Sequence, residues 1–549
     1  MVERQAAQPE SVTPGLAHKT QVRRNLTTGA LYEEIVKHRE GQIAHLGPMV
    51  VRTGHDAEVP PGDKFIVKDA VSEKTVYWDN TKNELSGNYF STLYNRLAAY
   101  MYNKTAYVQD CMAGSVEEYA IPMRIITETA WHSLFARNMF YQASEASSLE
   151  NFHPDFTVIH VPGFHAIPEL DGTRSASFVI VSLEKKMVLI GGTSYAGEIK
   201  QAVFTMVNHM MPADIFVMRC SANVGPEDDV AIFMGREETG KTTLAVDPAR
   251  RLLGDHSHGW SEKGVFNLDW GGYAKLCGIR EGDQPYIYSC TRKFGTLLEN
   301  VSINPDTRRI DTDDNCLTEN TRAAYPISHL PHAIRNGLYG HPKNLFLLTV
   351  DAFGVLPPIA RLTPEQAVYA FLSAYTARFR QMETGKMEPE VKFDVCFGDA
   401  SLALPAYEYG RRLLEKIQTH GIYCWLVNTG WSGEPYTRGE RIRIGYTRAL
   451  IRAAISGEFH SVKWETDPVF QFEVPLESPD ESIPATMLNP RSAAADPGEY
   501  EMRANRLVAE FVKDFGKFEE EIPEDMRVML SQVISVDEDF DFDDYDFKI

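Results

Sequence analysis

The sequence has no apolar run of the roughly 18 residues that a membrane-spanning helix requires. Its first 20 residues contain no apolar segment of the kind that marks a secretory signal. The seven cysteines are scattered, without a Cys-x-x-Cys pair or a close Cys/His group that would indicate structural zinc. Basic residues are outnumbered, with 55 Lys and Arg against 76 Asp and Glu. We therefore expect a reduced, cytoplasmic protein that binds neither membranes nor nucleic acid.

Composition and periodicity indicate a globular α/β protein. Hydrophobic residues make up 43% and charged residues 24% of the 549, and no repeat of solenoid period is present. The segment 178–190 predicts two short strands around a polar turn at 184–186, and 345–350 predicts a buried strand. Apolar residues at helical spacing mark 124–140 and 363–380. Strands that alternate with helices favour an α/β core, and the length predicts two to four domains.

Both ends of the chain are polar. Residues 1–25 contain prolines and no apolar pattern, so we expect a flexible N-terminal arm. Residues 518–549 hold twelve Asp and Glu against two Lys and Arg. Self-repulsion favours an extended, solvated acidic tail there. The alternative is an acidic peptide, with aromatic residues between its carboxylates, that docks on a protein partner or on the chain's own cleft.

Residues 235–242 match the phosphate-binding pattern Gly-x-x-x-x-Gly-Lys-[Ser/Thr]. An apolar strand, 230–234, precedes the pattern and a helix-compatible segment, 243–253, follows it, which is the context that a P-loop requires. Backbone N–H groups between the glycines would surround the phosphates of ATP, Lys241 would reach the β- and γ-phosphates, and Thr242 would bind Mg²⁺. The nucleotide-binding residues that this pattern predicts are Gly235, Thr239, Gly240, Lys241, Thr242 and Thr243.

Three carboxylates in or near this loop are candidates for chemistry. Asp255 follows an apolar pair, thirteen residues beyond Thr242, and is placed like the second metal-holding carboxylate of P-loop enzymes. Glu237 and Glu238 lie inside the loop, where a carboxylate repels phosphate unless it points away. Either both side chains face solvent, or Glu238 is a general base near the γ-phosphate.

Twelve segments between about residues 26 and 460 share one resemblance. They are DKFIV (63–67), TETAWHSLFARN (127–138), IGGTSYAGEIK (190–200), CSANVG (220–225), GKTTL (240–244), DPARRLLGD (247–255), HGW (258–260), LLENV (297–301), TENTRAAYPI (318–327), DAFGVLPP (351–358), LVNTGW (426–431) and RIRIGYTRA (441–449). Together they resemble the ATP-dependent phosphoenolpyruvate carboxykinase (PEPCK) family. The resemblance implies an α/β, two-domain architecture, with an N-terminal domain at 26–213 and a P-loop-containing mononucleotide-binding C-terminal domain at 214–517.

The same resemblance implies a reaction and roles for individual residues. The family converts oxaloacetate and ATP to phosphoenolpyruvate, CO₂ and ADP in gluconeogenesis, with Mg²⁺ on the nucleotide and a second divalent ion, usually Mn²⁺. Lys241 and Thr242 match its phosphate-binding lysine and magnesium-binding threonine, and Asp255 matches a metal-binding carboxylate. Arg322 matches an arginine that contacts phosphate and substrate. The implied substrate-binding residues are Tyr195, Lys200 and Lys275, and those flanking adenine are Arg441, Ile442 and Thr447.

Four positions depart from the family pattern. Val59 stands where the family has a substrate-binding arginine, and Gln201, Arg219 and His256 stand at the three positions that hold its second metal. A guanidinium offers no lone pair and repels a cation. We therefore expect a poor Mn²⁺ site, with the amide oxygen of Gln201 and an imidazole nitrogen of His256 as remaining candidate ligands. Arg219 would pair with a phosphate or a carboxylate instead.

These departures favour a phosphotransferase that binds MgATP and passes the γ-phosphoryl group to an acceptor other than the enolpyruvate formed from oxaloacetate. The catalytic residues predicted for it are Lys200, Arg219, Lys241, Asp255 and Arg322, with Glu238 or Asp269 as the base. One alternative is an authentic carboxykinase with an altered metal site. Another is a catalytically inactive ATP sensor or scaffold whose acidic tail recruits a partner.

Overall fold

The computed structural model describes residues 20–54, 58–78, 82–143, 152–282, 284–381, 387–398, 404–516 and 522–531. Contacts divide the chain into two units, Met1–Pro212 with Asn267–Gly337, and Ala213–Phe266 with Leu338–Ile549. Residues 267–337 thus group with the first unit rather than with the C-terminal domain predicted above. The reason is long-range strand pairing, because Leu297–Glu299 lies parallel to Met49–Val51 in one sheet.

The first unit contains a nine-stranded mixed sheet in the described part of the chain. Its strands, in spatial order, are Gln21–Arg24, Thr105–Ala113, Ile121–Thr127, Phe156–Val161, Met187–Gly191, Phe178–Ser182, Lys64–Lys68 and Asn83–Ser86, with Tyr141–Gln142 beside Thr105–Ala113. Every residue of Phe178–Ser182 is buried, so both faces of this strand are removed from water. This burial explains why the strand reads FVIVS rather than alternating apolar and polar residues.

A smaller sheet and several helices complete the described first unit. The sheet has five strands in the order Gly271–Lys275, Arg322–Pro326, Leu297–Glu299, Met49–Val51 and Gly41–Ile43, and a separate ribbon pairs Ser302–Ile303 with Ile310–Asp311. The helices are Thr28–Lys37, Ser72–Thr75, Gly87–Tyr100, Ala130–Met139, Pro168–Asp171, Gly197–Met210 and Pro285–Cys290, with short 3₁₀ turns at Pro61–Asp63, Glu117–Tyr119 and Ile327–His329. Leu93 and Leu97 of Gly87–Tyr100 share one buried cluster with Ile159 and Ile180 of the large sheet, so this helix covers the core.

The second unit is built on an eleven-stranded mixed sheet among the described residues. Its strands, in spatial order, are Leu338–Tyr339, Gly264–Asn267, Ser257–Ser261, Phe216–Val224, Val230–Gly235, Pro342–Thr349, Tyr423–Asn428, Ile359–Leu362, Glu473–Pro475 and Trp464–Thr466, with Arg251–Gly254 beside Phe216–Val224. A ribbon pairs Thr376–Gln381 with Met387–Lys392. The helices are Lys241–Ala245, Pro364–Ser373, Val395–Gly398, Ala406–His420, Ile444–Ser456, Ala485–Leu488, Pro490–Ala493, Pro497–Gly516 and Glu524–Ser531, with a 3₁₀ turn at Glu458–Ser461.

Three parallel strands form the centre of this second sheet. Pro342–Thr349 pairs in parallel with Val230–Gly235 on one side and with Tyr423–Asn428 on the other. The carboxyl ends of parallel strands meet at one edge of a sheet, and ligands of open α/β folds bind at that edge. The predicted phosphate-binding loop follows Val230–Gly235, so it lies at the edge where such a ligand is expected.

Several local predictions are confirmed. The two strands predicted within 178–190 are Phe178–Ser182 and Met187–Gly191, which pair in antiparallel fashion. The buried strand predicted at 345–350 is the greater part of Pro342–Thr349. The mixture of strands and helices confirms the α/β class. These predictions succeed because they depend on short apolar runs and nearby turn residues.

Three predicted helices are too long. The helix within 124–140 is Ala130–Met139, because the first residues of that segment complete a strand. The helix within 243–253 ends at Ala245, shortly before Pro248, and residues before a proline are disfavoured in helices. The helix within 363–380 ends at Ser373, and Ala374 takes a left-handed φ of +42° before the next strand. Apolar spacing overestimated each helix because the flanking strands are apolar as well.

The structure describes residues 20–25 of the predicted N-terminal arm and residues 522–531 of the predicted acidic tail. Gln21–Arg24 pairs in parallel with Thr105–Ala113, so this part of the predicted flexible arm is a strand. Nε of Arg24 donates to Oδ2 of Asp110 at 2.6 Å, which ties that strand to the sheet. Residues 1–19, 518–521 and 532–549 lie outside the described residues, and with them most of the predicted acidic tail. None of the described helices is both long enough and apolar enough to cross a membrane.

Candidate active site

The predicted phosphate-binding segment lies between the strand Val230–Gly235 and the helix Lys241–Ala245. Gly235 has no room for a side chain, because a Cβ there would lie 2.6 Å from Oγ1 of Thr239. Gly240 has a φ of +98°, a left-handed value that residues with a Cβ rarely adopt. The backbone path of the loop therefore accounts for both glycines of the pattern.

Hydrogen bonds fix this loop. Oγ1 of Thr239 donates to the carbonyl of Arg236 at 2.8 Å, and Oγ1 of Thr429 donates to the carbonyl of Thr239 at 3.1 Å. Nζ of Lys241 donates to the carbonyl oxygens of Gly235 and Arg236 at 2.6 and 2.7 Å. The ammonium group is thus held against the loop whose sequence predicts phosphate binding.

The charge of Lys241 depends on its surroundings. Burial of the ammonium, helped by the nearby positive charge of Arg219, lowers the pKa of Lys241 to about 8, and Glu237 and Asp255 partly oppose this shift. A polyphosphate would add negative charge beside the ammonium and favour its protonated form. Lys241 is therefore suited to bind an anion that compensates for its burial.

The two glutamates inside the loop are exposed. Glu237 and Glu238 both reach solvent, and Glu238 has a left-handed φ of +69°. Arg236, the residue before them, forms an ion pair with Asp394. Exposure weakens the repulsion between these carboxylates and a phosphate, because water screens the charges. The role of Glu238 as a base stays a prediction.

Asp255 is buried in a bend between two strands that both pair with Phe216–Val224. Oγ of Ser221, on that central strand, donates to Oδ1 of Asp255 at 3.0 Å and so fixes the carboxylate. Thr242 is half-buried at the start of the helix after the loop. A carboxylate and a hydroxyl are oxygen ligands of the kind that Mg²⁺ prefers, so these residues fit a nucleotide-bound Mg²⁺.

Arg219 and His256 are paired beside this bend. Nε of Arg219 donates to Nε2 of His256 at 3.2 Å. The other ring nitrogen of His256, Nδ1, lies 2.7 Å from Oγ of Ser257. A nitrogen that accepts from an arginine carries no proton, so a neutral His256 holds its proton on Nδ1 and donates it to the serine hydroxyl. Both nitrogens of the ring are engaged by neighbouring groups.

The residues predicted to flank adenine belong to the same unit. Nε of Arg441 donates to the carbonyl of Thr429 at 2.9 Å, and the backbone N–H of Ile442 donates to the carbonyl of Gly430 at 2.8 Å. Thr447 is buried in the helix that follows. Since Thr429 also donates to the phosphate-binding loop, these residues and that loop are connected. The second unit thus brings together the predicted groups for both ends of a nucleotide.

In the first unit, Tyr195 lies two residues before the start of the helix Gly197–Met210, which carries Lys200. A Cβ at Gly197 would lie 2.5 Å from the ring of Tyr195, so glycine at this position allows the ring to lie against the helix. Nζ of Lys200 lies 3.5 Å from Oδ2 of Asp269, and both side chains are buried. Asp269, a candidate base from the sequence, is therefore the ion-pair partner of a predicted substrate-binding lysine.

Two buried histidines hold the residues that lead into Tyr195. Nε2 of His132 lies 3.0 Å from the carbonyl of Ser194, and Nε2 of His160 lies 3.1 Å from the carbonyl of Thr193. Burial lowers the pKa of His160 to about 4 and lowers the pKa of His132 well below its ordinary value. Each is therefore a neutral ring that donates its Nε2 proton to the backbone.

Arg322 begins the strand Arg322–Pro326 of the smaller sheet. Its register partners on the two neighbouring strands are Lys275 and Glu299. Nε of Arg322 donates to Oδ1 of Asn320 at 2.7 Å, and Lys275 is exposed at the end of its strand. The sheet therefore places two predicted anion-binding side chains at adjacent positions.

Tyr273 and Glu299, which the sequence did not identify as candidates, lie beside residues predicted to bind substrate. The ring of Tyr273 lies 6.3 Å from the ring of Tyr195, and Cζ of Arg322 lies 5.4 Å from its centre. The hydroxyl of Tyr273 donates to Oε2 of Glu299 at 3.0 Å. Burial raises the pKa of Glu299 to about 8, although Tyr273 and Arg322 both act to lower it. The feature of the sequence that could have identified Glu299 is its position as a carboxylate inside the apolar run LLENV.

The segment around Val59 has no exposed cation at the position where the family has arginine. Val59 is 2% exposed, and its backbone N–H donates to Oε1 of Glu198 at 2.8 Å. Nζ of Lys64 lies 3.0 Å from Oε2 of Glu198 and donates to Oε1 of Gln201 at 2.8 Å. Lys64 is therefore a cation that Glu198 and Gln201 hold beside this segment.

Comparisons with known proteins identify one family over most of the chain. Residues 20–482 match the family model described as phosphoenolpyruvate carboxykinase. A relative from Pelobacter propionicus, named phosphoenolpyruvate carboxykinase (ATP), is 50% identical over 494 residues, which are 90% of this chain and 93% of the relative. Proteins of the same name from Geotalea uraniireducens and Thermus thermophilus are 48% identical over 505 residues and 46% identical over 508 residues. Each of these two alignments covers 92% of this chain, and 95% and 96% of the respective relative.

Proposed function

The chain belongs to the ATP-dependent phosphoenolpyruvate carboxykinase family, and on that premise we propose that it converts oxaloacetate and ATP to phosphoenolpyruvate, CO₂ and ADP. The observation that carries this proposal is the 50% identity to a phosphoenolpyruvate carboxykinase (ATP) over 90% of the chain. This similarity favours the carboxykinase alternative over our expectation of a different phosphoryl acceptor. It also places the chain in a family of enzymes rather than of sensors or scaffolds.

In the second unit, the loop 235–242 binds the phosphates of ATP. Lys241 supplies the positive charge, and backbone N–H groups of the loop supply further donors. Thr242 and Asp255 would hold Mg²⁺, which neutralises phosphate charge when bound. Arg441 and Ile442 flank the base. The role of each group is to position the γ-phosphate and to stabilise the charge that develops during its transfer.

In the first unit, Tyr195, Lys200, Lys275 and Arg322 bind the carboxylate substrate. Two of these side chains, Lys200 and Arg322, are held by Asp269 and Asn320. Such partners reduce the motion of a charged side chain, so less order must be imposed when the substrate binds. Cations in this unit stabilise the negative charge that appears on the enolate oxygen as CO₂ leaves.

A second candidate function has one observation in its favour. Val59 is buried and apolar where the family has a substrate-binding arginine, so a charged contact to a substrate carboxylate is missing. Loss of such a contact costs about 2–5 kcal/mol in comparable buried pairs. A weaker oxaloacetate site would fit a phosphotransferase that uses MgATP with another acceptor.

The carboxylation direction tests the proposal. Purified protein is given phosphoenolpyruvate, ADP, bicarbonate and Mg²⁺, and the oxaloacetate formed is reduced by added malate dehydrogenase while NADH absorbance is followed. We expect NADH to be consumed by the wild type and not by Lys241→Ala. Lys185→Ala, which changes an exposed lysine in a turn of the first unit, is the matched control and should retain activity. MgATP binding without turnover in either direction would favour the second candidate.

A further inference from the structure

The family's second divalent ion requires ligand atoms with free lone pairs, and the residues here do not provide them. The resemblance assigns that ion to positions 201, 219 and 256, which hold Gln, Arg and His. Among the described residues, no group of three or more His, Cys, Asp or Glu side chains is arranged to hold a metal. The contacts of each of the three residues can therefore be compared with what a metal needs.

Arg219 and His256 exclude a cation between them. The guanidinium has five N–H donors and no acceptor. Its Nε–H is directed at Nε2 of His256, 3.2 Å away, so the lone pair on that nitrogen already accepts a hydrogen bond. Nδ1 of His256 faces the hydroxyl of Ser257 at 2.7 Å. A divalent ion would have to displace a permanent positive charge to reach the ring.

Gln201, in the first unit, is engaged in a similar way. Its only strong ligand atom is the amide oxygen Oε1. That oxygen accepts from the ammonium of Lys64 at 2.8 Å. The ammonium is fixed in turn by Glu198, whose Oε2 lies 3.0 Å from Nζ. A metal at Gln201 would therefore face a second cation that is already held in place.

Arg219 has the surroundings of an anion-binding group. The next residue, Cys220, pairs with Met234 of the strand that leads into the phosphate-binding loop, and Nζ of Lys241 donates to the carbonyl of Gly235 at 2.6 Å, so two cationic residues lie beside that loop. The strand Phe216–Val224 holds the backbone of Arg219, and the N–H of the next residue, Cys220, donates to the carbonyl of His256 at 2.8 Å. A polyphosphate is the ligand that relieves repulsion between two such cations.

We propose that the guanidinium of Arg219 is a fixed cation for the terminal phosphate of a nucleoside triphosphate bound at 235–242, and that it replaces the second divalent ion. This inference rests on the proposed function, because it requires ATP to bind at that loop. His256 is a positioning residue in this arrangement, since its Nε2 orients the guanidinium. The chain then takes up a divalent ion only together with the nucleotide.

Binding of Mn²⁺ tests the metal half of the proposal. The electron paramagnetic resonance signal of free aqueous Mn²⁺ is recorded while the full-length protein is titrated with MnCl₂ without nucleotide. With the wild type, we expect the signal at each MnCl₂ concentration to equal that measured without protein. The triple variant Q201K/R219H/H256D, which restores the family's residues, should bind about one Mn²⁺ per chain and lower the signal accordingly. A wild type that binds one Mn²⁺ without nucleotide overturns the proposal. Unchanged Mn²⁺ binding in a folded triple variant overturns the assignment of these positions.

Nucleotide affinity tests the phosphate half. Calorimetric titrations with MgATP and MgADP are compared for the wild type, Arg219→Met and Arg219→Lys. Loss of a charged hydrogen bond to the γ-phosphate should weaken MgATP binding about tenfold or more. MgADP, which lacks that phosphate, should change much less, and Arg219→Lys should recover part of the loss. Arg411→Met, on the exposed face of the helix Ala406–His420, is the matched control.

The outcomes separate this inference from the proposed function. If Arg219→Met weakens MgATP and MgADP equally, the residue has only a structural role and the inference fails while nucleotide binding stands. If the wild type binds neither nucleotide, the proposed function fails together with the inference. A selective loss of MgATP affinity, with no Mn²⁺ bound by the wild type alone, supports the replacement of a metal by an arginine.

Discussion

Nε of Arg219 donates a hydrogen bond to Nε2 of His256 across 3.2 Å, from a strand to the bend after the neighbouring strand. The bond orients the guanidinium without neutralising it, since His256 is an uncharged acceptor in this pairing. We expect His256→Ala to weaken MgATP binding by about three- to tenfold, the value of one hydrogen bond, and less than Arg219→Met does. Calorimetric titration checks this order. A larger effect of His256→Ala would mean that the histidine contacts the nucleotide itself.

The pKa of about 8 at Lys241 predicts proton uptake when nucleotide binds. Near pH 8 the free amine is partly neutral, and a bound polyphosphate favours the ammonium, so binding draws a proton from solution and affinity falls as the pH rises above 8. Calorimetry at pH 8 in two buffers of different ionisation enthalpy measures this uptake. Lys241→Arg, which stays charged, should bind without it. Equal uptake by the arginine variant would place the titrating group elsewhere.

The raised pKa of Glu299 predicts that the free energy of unfolding falls between about pH 5 and pH 8. Its pKa in the folded protein, about 8, lies above that of an unfolded glutamate. In this window the unfolded chain releases the proton and the folded chain keeps it, so the free energy of unfolding falls with pH by up to about 1.4 kcal/mol per unit.

Glu299→Gln should remove that decline, because the amide does not ionise and its oxygen can still accept from Tyr273. Denaturant unfolding at pH 5, 6.5 and 8 measures it, and we expect the variant to gain about 1 kcal/mol or more relative to the wild type at pH 8. Glu169→Gln, at an exposed position of the same unit, controls for replacing a carboxylate. Parallel pH profiles for the wild type and Glu299→Gln would contradict the raised pKa.

At Gly197, we expect a substitution to weaken substrate affinity without destabilising the fold. An added Cβ would lie 2.5 Å from the ring of Tyr195, so Gly197→Ala must displace that ring. Alanine also favours the helix by about 0.5–1 kcal/mol, so the fold should tolerate the change. We expect KM for oxaloacetate to rise about tenfold or more if Tyr195 binds substrate, because a displaced side chain loses roughly one charged contact.

Gly87→Ala is a matched control for this variant. Gly87 begins another helix of the first unit, as Gly197 does, and an added Cβ there meets nothing within 4 Å. The KM of Gly87→Ala for oxaloacetate should stay at the wild-type value, while its melting temperature changes in the same direction as that of Gly197→Ala. An unchanged KM in Gly197→Ala, with the protein folded, would remove Tyr195 from the substrate site.

The local part of the site could be predicted from the sequence, because its signals are short. The two glycines and Lys241 lie within one loop, and the strand before them is a plain apolar run. The division of the chain into two units could not be predicted from such local signals. Leu297–Glu299 pairs with Met49–Val51, about 250 residues earlier, and no local pattern reports such a pairing.

Glu299 and Tyr273 show why part of the site is invisible in the sequence. The raised pKa of Glu299 arises from burial by residues distant in the chain, so its neighbours in LLENV do not reveal it. The departures at Gln201, Arg219 and His256 are visible in the sequence, but their consequence depends on contacts. The hydrogen bonds from Lys64 and from Arg219 reveal that the amide oxygen and the imidazole are already occupied.

The most direct test of the account is ³¹P NMR of the wild-type protein, first freed of metal with a chelator, with ATP, oxaloacetate and Mg²⁺ alone. We expect a phosphoenolpyruvate resonance to grow together with that of ADP, Lys241→Ala to give neither, and added Mn²⁺ not to raise the rate beyond its effect on the nucleotide. Bound ATP with no phosphoenolpyruvate under Mg²⁺ or Mn²⁺ would contradict the carboxykinase assignment.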